Sequence, residues 1–166
     1  GLQAALERVC TSARGQDSSA ALLYMDMDGF KLINDTYGHA AGDKVLITTA
    51  QRMRSMLRVD DVAARIGGDE FIVLVTGIDA TAALRLGEHL LHDASQPITL
   101  ADGTRVSVGL SIGISIVSGA NRSPEAALHS ADAALYRAKA QGGRCCAVAG
   151  METIEKEVPD GEPAVA

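Results

Sequence analysis

The sequence predicts an α/β sandwich, a β-α-β-β-α-β core with a mostly antiparallel central sheet, helices on both faces and an added hairpin. Three observations predict it. Residues 106–116 alternate Val106, Val108, Leu110, Ile112, Ile114 and Ile116 with Ser107, Gly109, Ser111, Gly113 and Ser115, the period of a strand with one large apolar face. Apolar runs at 62–66 and 71–75 flank Gly67-Gly68, as in a tight hairpin whose turn needs positive φ. Leu46, Ala50, Met53 and Leu57 recur at helical spacing within 42–58, one buried stripe of a long helix.

The elements follow in order. Residues 2–9 read as a helix fragment, and 11–19 as a polar loop with Gly15. Residues 20–25 form a strand, and 30–37 a short helix ended by Gly38. After the long helix and the hairpin, residues 80–94 make another helix with Leu86 and Leu90 inward. Asp102-Gly103 marks a second turn before the alternating strand. The small residues of that strand suit close packing against a helix. Ser123-Pro124-Glu125 supplies a cap and a proline for the first helical position. That helix buries Leu128, Ala131, Leu135 and Ala138, stops at Gly142-Gly143, and leads to a short strand at 145–149. Joining the two consecutive helices into one crossover sets the first strand beside the hairpin strands.

Composition sets the outer bounds. A chain of 166 residues makes one domain with a substantial core. With 47% hydrophobic but 3% aromatic residues, that core is aliphatic and rich in alanine. Residues 151–166 hold five acids and one lysine, −4 of the total −6, and with two prolines they read as a frayed tail. The remaining −2 gives no electrostatic footprint for nucleic acid, so no such partner is expected. No apolar run approaches ~18 residues and no basic-then-apolar start is present, so this segment is expected neither to contact a membrane nor to carry a signal peptide. An anchor elsewhere in a longer parent stays open. Cys10, Cys145 and Cys146 make neither a disulfide framework nor a zinc site and read as reduced, cytosolic residues.

The chemistry lies in carboxylates at strand ends. Asp69 and Glu70 follow the two glycines, and Asp26 and Asp28 follow the first apolar strand. Alone, acids at a turn are solvated and inert. If the strands are neighbours, Asp69 stands beside Asp26 and the two can share a hard divalent cation. That arrangement is a metal-dependent phosphoryl-transfer centre.

Three motifs extend the reading: G-G-D-E-F at residues 67–71, D-x-D-x-F-K-x-x-N-D-x-x-G-H-x-x-G-D from Asp26 to Asp43, and Y-x-A-K from Tyr136 to Lys139. Over residues 1–150 the chain resembles the GGDEF domain, the diguanylate cyclase family. The resemblance implies a palm-like, ferredoxin-like fold and the condensation of two GTP molecules into cyclic di-GMP with release of two pyrophosphates. It implies a homodimer, because each subunit would present one GTP to the other. It also implies an upstream sensory or regulatory domain in a longer, cytoplasmic or membrane-anchored parent.

In that reading Asp26, the Met27 carbonyl and Asp69 would hold Mg2+, with Mn2+ a possible substitute. Glu70 would bind metal or accept a proton, and the sequence does not separate these. Asp28 alone reads as a structural or solvated carboxylate. Phe30 and Lys31 would receive the β- and γ-phosphates at the start of the short helix, with Lys31 counted in the catalytic set. Asn34 and Asp43 would read guanine, although alone the first is a helix-end cap and the second an N-cap. An unpaired buried reader costs ~1–3 kcal/mol, enough to favour GTP over ATP. His39 and Gly68 would border the substrate. Lys139 and Arg144 would bind phosphate, although a lysine there could simply offset the helix dipole.

Arg58 and Asp61 match the family's product-inhibition site, with Arg85 as a second arginine. Two departures stand out. Gly142-Gly143-Arg144-Cys145 carries one more glycine than the family's A-K-x-x-G-R-N, and the asparagine is missing. The family's usual opening, D-x-L-T-G-L-x-N-R, is also absent, which implies a shortened and less active form. A second function stays open, a catalytically silent GGDEF domain that binds GTP or cyclic di-GMP as a regulatory module.

Overall fold

The computed structural model describes residues 1–12, 19–118 and 123–151. The described elements are α1 (Leu2–Ser12), β1 (Ala20–Asp28), α2 (Phe30–Tyr37), α3 (His39–Ser55), β2 (Val62–Arg65), β3 (Glu70–Thr76), α4 (Ala80–Ser95), β4 (Ile98–Thr99), β5 (Arg105–Val106), β6 (Gly109–Val117), α5 (Pro124–Ala140) and β7 (Cys146–Val148). Five strands form one sheet in the order β2-β3-β1-β6-β7, while β4 and β5 pair separately. Only β7 runs parallel to its neighbour β6, and the other pairs are antiparallel. The expected α/β sandwich is therefore the observed one.

Alternation along β1 builds two cores at once. Ala21, Leu23, Met25 and Met27 face a layer containing Ile33, Val45, Leu46, Met53 and Leu90 from α2, α3 and α4. Ala20 and Leu22 face the other way, with Ile72, Leu74, Leu6 from α1 and Ala127 and Ala131 from α5. By the same pleat, Asp26 and Asp28 project to the α5 side.

The small face of β6 lets α5 lie directly on the sheet. A Cβ at Gly113 would collide with the Ala131 carbonyl oxygen and the Leu135 nitrogen. Ser115, fully buried, donates its hydroxyl to the Ala127 carbonyl at 2.8 Å. Ser123 caps α5 by accepting from the Ala126 N–H at 3.1 Å, and Asp79 caps α4 by accepting from the Ala82 N–H at 2.8 Å. At the far end of α4, Arg52 donates to the carbonyls of Asp93, Gln96 and Pro97, which satisfies acceptors a helix C-terminus leaves free.

Several boundaries differ from expectation. β1 continues to Asp28, because a central strand keeps pairing on both sides; Asp26 lies opposite Glu70 and Asp28 opposite Gly109. α3 begins at His39, since Gly38 (φ 87) closes α2 and opens α3 at once. The alternation over 106–116 covers two strands in two sheets, broken at Ser107–Val108, while Val106, Val108 and Leu110 stay in one core. α1 runs through Ser12, past the expected start of the loop at residue 11, and residues 13–18 and the tail from 152 lie outside the described residues. Neither Gly67 nor Gly68 takes positive φ. A Cβ at Gly67 would stand 2.6 Å from Glu70 Oε2, the far end of a side chain that can turn aside.

Candidate active site

The turn after β2 delivers the acidic residues to the end of β1. Ile66 N–H donates to the Glu70 carbonyl at 3.0 Å, and Met27 N–H donates to the Asp69 carbonyl at 3.1 Å. The second bond fixes the Asp69 backbone one residue beyond Asp26, and the two carboxyl groups lie close enough for Asp26 to raise the Asp69 pKa. From α5, Lys139 Nζ stands 2.8 Å from Asp26 Oδ2, with the lysine 40% and the aspartate 19% exposed. Asp26, Asp69, Glu70 and Lys139 thus meet at one open edge of the sheet.

Electrostatics report the same crowding. The Asp69 carboxyl is pushed up by burial, then by the Asp26 charge and their shared hydrogen bond, with Lys139 opposing. Glu70 rises through burial and the charges of Asp26, Asp69 and Asp132. Burial and the charges of Glu70, Asp132 and Asp26 also push the Tyr24 hydroxyl up. For Lys139 burial works against the ammonium, but the Asp26 hydrogen bond and the charges of Asp26, Asp28 and Asp69 outweigh it and raise the pKa.

Asp132 was not anticipated. It sits seven residues before Lys139 on α5, two helical turns along the same face, and that spacing is the signal that could have found it.

Among the described residues no group of three or more His, Cys, Asp or Glu side chains surrounds a common point as a metal cage would. Asp26 and Asp69 still fit a hard divalent ion, because magnesium is usually held by one or two carboxylates together with substrate phosphates and water.

The glycine turn at Gly29 (φ 80) leads straight from β1 into α2. Ile33 N–H bonds to the Gly29 carbonyl, so the amides of Phe30, Lys31 and Leu32 precede the first intrahelical bond. Lys31 is exposed and Phe30 packs partly on the core. The Asn34 side chain lies against Gly42, where any Cβ would collide with its oxygen. Asp43 follows that glycine in the second turn of α3, exposed, so it is not an N-cap. Gly42 is thus a second residue the sequence reading passed over, marked by the G-D step before Asp43. His39 is the exposed first residue of α3.

Asp28 is structural. Its two oxygens accept from the Ser111 hydroxyl at 2.8 and 2.9 Å, and Oδ2 accepts from the Arg144 N–H at 2.8 Å. Gly142, Gly143 and Arg144 all take positive φ (102, 73 and 54), and Arg144 is the one non-glycine to do so among the described residues. The Arg144 side chain lies over Gly109, whose Cβ would meet its Cγ at 2.7 Å. Gly109 therefore packs against an arginine rather than a helix. The structure brings Lys139 to Asp26, and it turns Arg144 toward a cavity of about 210 Å3 lined also by Leu91, His92 and Ser95.

Arg58 and Asp61 sit at the opposite end of β2 from Gly67. The buried Asp61 carboxylate accepts from the Arg58 N–H at 2.8 Å, leaving the Arg58 side chain exposed. Arg85 is exposed on α4, with no hydrogen bond or ion pair to that turn among the described residues. A cavity of about 630 Å3 opens between α1 and this turn, lined in part by Arg8, Asp60 and Asp61 and remote from the Asp26–Asp69 edge. No described helix is long and apolar enough to cross a membrane.

Residues 1–145 match the family model described as "Diguanylate cyclase, GGDEF domain". The chain is 42% identical over 164 residues to the diguanylate cyclase TpbB of Pseudomonas aeruginosa, covering 95% of this chain and 38% of that protein. It therefore spans well under half the length of that relative. The crystal structure of the GGDEF domain of TpbB (YfiN) from P. aeruginosa superposes with a TM-score of 0.86 at 40% identity, covering 91% of this chain and 94% of that one. The GGDEF domain of DgcB from Caulobacter crescentus, solved in complex with cyclic di-GMP, superposes with a TM-score of 0.84 at 26% identity, covering 90% and 89%.

Proposed function

This chain belongs to the diguanylate cyclase family of GGDEF domains, and from that premise we propose that it condenses two GTP molecules into cyclic di-GMP and two pyrophosphates. One observation carries the reading. The β2–β3 turn sets Asp69 against Asp26 on β1, with Lys139 at the same edge. Asp26, Asp69 and the Met27 carbonyl would hold Mg2+, which when bound supplies positive charge at the α-phosphate and eases ionisation of the attacking 3'-hydroxyl.

The chain's own groups do the rest. The free amides at the start of α2 and the Lys31 ammonium receive the β- and γ-phosphates. Asn34, whose side chain lies against Gly42, and Asp43, which follows that glycine, donate and accept at the guanine edge. Glu70, whose pKa is raised, stands ready to take a proton or complete the metal shell. The open edge holds one GTP, so the chemistry needs a second copy related by a two-fold axis. Residues 1–150 form the catalytic domain, in a cytoplasmic segment of a longer protein whose upstream domain sets dimerisation. Cyclic di-GMP rebinds at Arg58, Asp61 and Arg85 as an inhibitor, the arginines forking onto phosphate and guanine.

The test is incubation of the domain with GTP and Mg2+ at concentrations that favour dimers, with products resolved by mass. Cyclic di-GMP is expected from the natural sequence and not from Asp69→Ala. GTP binding without turnover, even in forced dimers, would point instead to a silent regulatory module.

A further inference from the structure

Asp26 is already engaged. The Lys139 ammonium holds its Oδ2 at 2.8 Å, on a partly exposed stem near the C-terminal end of α5. The Asp69 carboxyl lies close enough to Asp26 for the Asp26 charge to raise its pKa, and Glu70 pairs with Asp26 across the strands. Asp26, Asp28 and Asp69 all act on the one ammonium, so the cluster carries an excess of negative charge that a divalent ion would offset. That ion would approach Asp26 to about 2.1 Å. An ammonium hydrogen-bonded to the same carboxyl would then be repelled by two positive charges at short range.

We infer that Lys139 is an exchange ligand, holding Asp26 until a divalent cation takes that oxygen and then moving to a phosphate oxygen of the incoming triphosphate. The inference rests on the cyclase reading of this edge. It makes metal and nucleotide bind as a pair. A cation arriving alone must expel the lysine with nowhere to place it, whereas a cation carried by a triphosphate brings the anion that receives it. Lysine suits the part because it is a compact charge on a flexible stem.

The two halves of the exchange give opposite signs on one substitution. Mn2+ binding to the nucleotide-free domain is measured by the loss of free-ion paramagnetic resonance signal. Salt is held near 0.5 M, where screening acts within roughly 4 Å. Lys139→Met is expected to bind Mn2+ about 1.5- to fivefold more tightly, the range lost with a partly exposed ion pair, and to bind GTP with Mg2+ more weakly. Lys31→Met is the control, since Lys31 makes no ion pair with Asp26 among the described residues; it should weaken GTP and leave Mn2+ unchanged. Unchanged or weaker Mn2+ binding by Lys139→Met overturns the exchange, as does an equal gain from Lys31→Met. Product formation by the natural sequence is read separately. Cyclic di-GMP without the Mn2+ gain removes the exchange and leaves the cyclase reading standing. The Mn2+ gain without product supports competition at Asp26 and removes the cyclase reading.

Discussion

Asp28→Ala releases the segment that follows α5, and its cost can be worked from the contacts. The substitution removes the bond from the Ser111 hydroxyl and the bond from the Arg144 N–H. Hydrogen bonds to a charged group contribute about 1.5–3 kcal/mol each, so about 3–6 kcal/mol is lost. Arg144 can then leave its left-handed conformation, φ 54, which returns about 1–2 kcal/mol. The net expectation is a loss of roughly 2–4 kcal/mol. Part of it arises because Ser111 is fully buried and its hydroxyl is left without the carboxylate. Ser111→Ala alone removes one of those bonds, leaves Asp28 with the Arg144 N–H, and should cost about 1.5–3 kcal/mol. In the double variant no orphaned hydroxyl remains, so its cost should fall short of the sum by about 1–2 kcal/mol. Urea unfolding of the four proteins, with matching m-values, measures this directly. Additivity within about 0.5 kcal/mol would refute a shared Asp28–Ser111 bond.

Other perturbations follow from the same contacts. Gly113→Ala drives a methyl group into the α5 backbone at Ala131 and Leu135, so urea unfolding should show a loss of at least about 1–3 kcal/mol; a neutral result would mean α5 does not lie that close to β6. Asp69 and Glu70 have raised carboxyl pKa values, so their ionisation opposes folding above those values, and the lost stability returns as pH falls through them. With chelator present, lowering the pH from 7 toward the ordinary carboxylate range, about 4, should therefore favour the Tm of the natural sequence over that of an Asp69→Asn, Glu70→Gln variant, and parallel curves would contradict it. Burial pushes the Cys146 thiol up to about 12, so it should resist maleimide at pH 8 in the folded protein; labelling as fast as in urea would place it at the surface. Arg58→Ala should keep initial rates and lose inhibition by added cyclic di-GMP, and undiminished inhibition would remove the allosteric assignment.

The carboxylate edge was legible because its parts are short-range signals, glycines before acids and apolar runs that stop at acids, joined by a crossover rule that makes β1 and β3 neighbours. Less legible was anything set by pairing partners. Asp26 and Asp28 looked like the end of a strand, yet β1 is paired on both sides through Asp26 and with β6 as far as Asp28. The alternation over 106–116 reported which side chains face the core and hid the change of sheet at Ser107–Val108, because both strands contribute to one apolar layer. The position of Arg144 was hard to read for a related reason. The extra glycine marked a departure, but three successive positive-φ residues and the Asp28 contact decide where the guanidinium goes, and no spacing rule carries that. The place of the Asn34 amide was not legible either, since it is set by its packing against Gly42 of the next helix.

The central claim is that oxygens from β1 and from the β2–β3 turn grip one cation with a purine triphosphate. A crystal of the domain grown with Mn2+ and a GTP analogue that cannot release pyrophosphate tests it through the anomalous signal of manganese. The expected result is a peak within coordination distance, about 2.0–2.3 Å, of both the Asp26 and Asp69 carboxylates and of the triphosphate. Manganese held by phosphate oxygens alone, with Lys139 still on Asp26, would contradict both the shared site and the exchange.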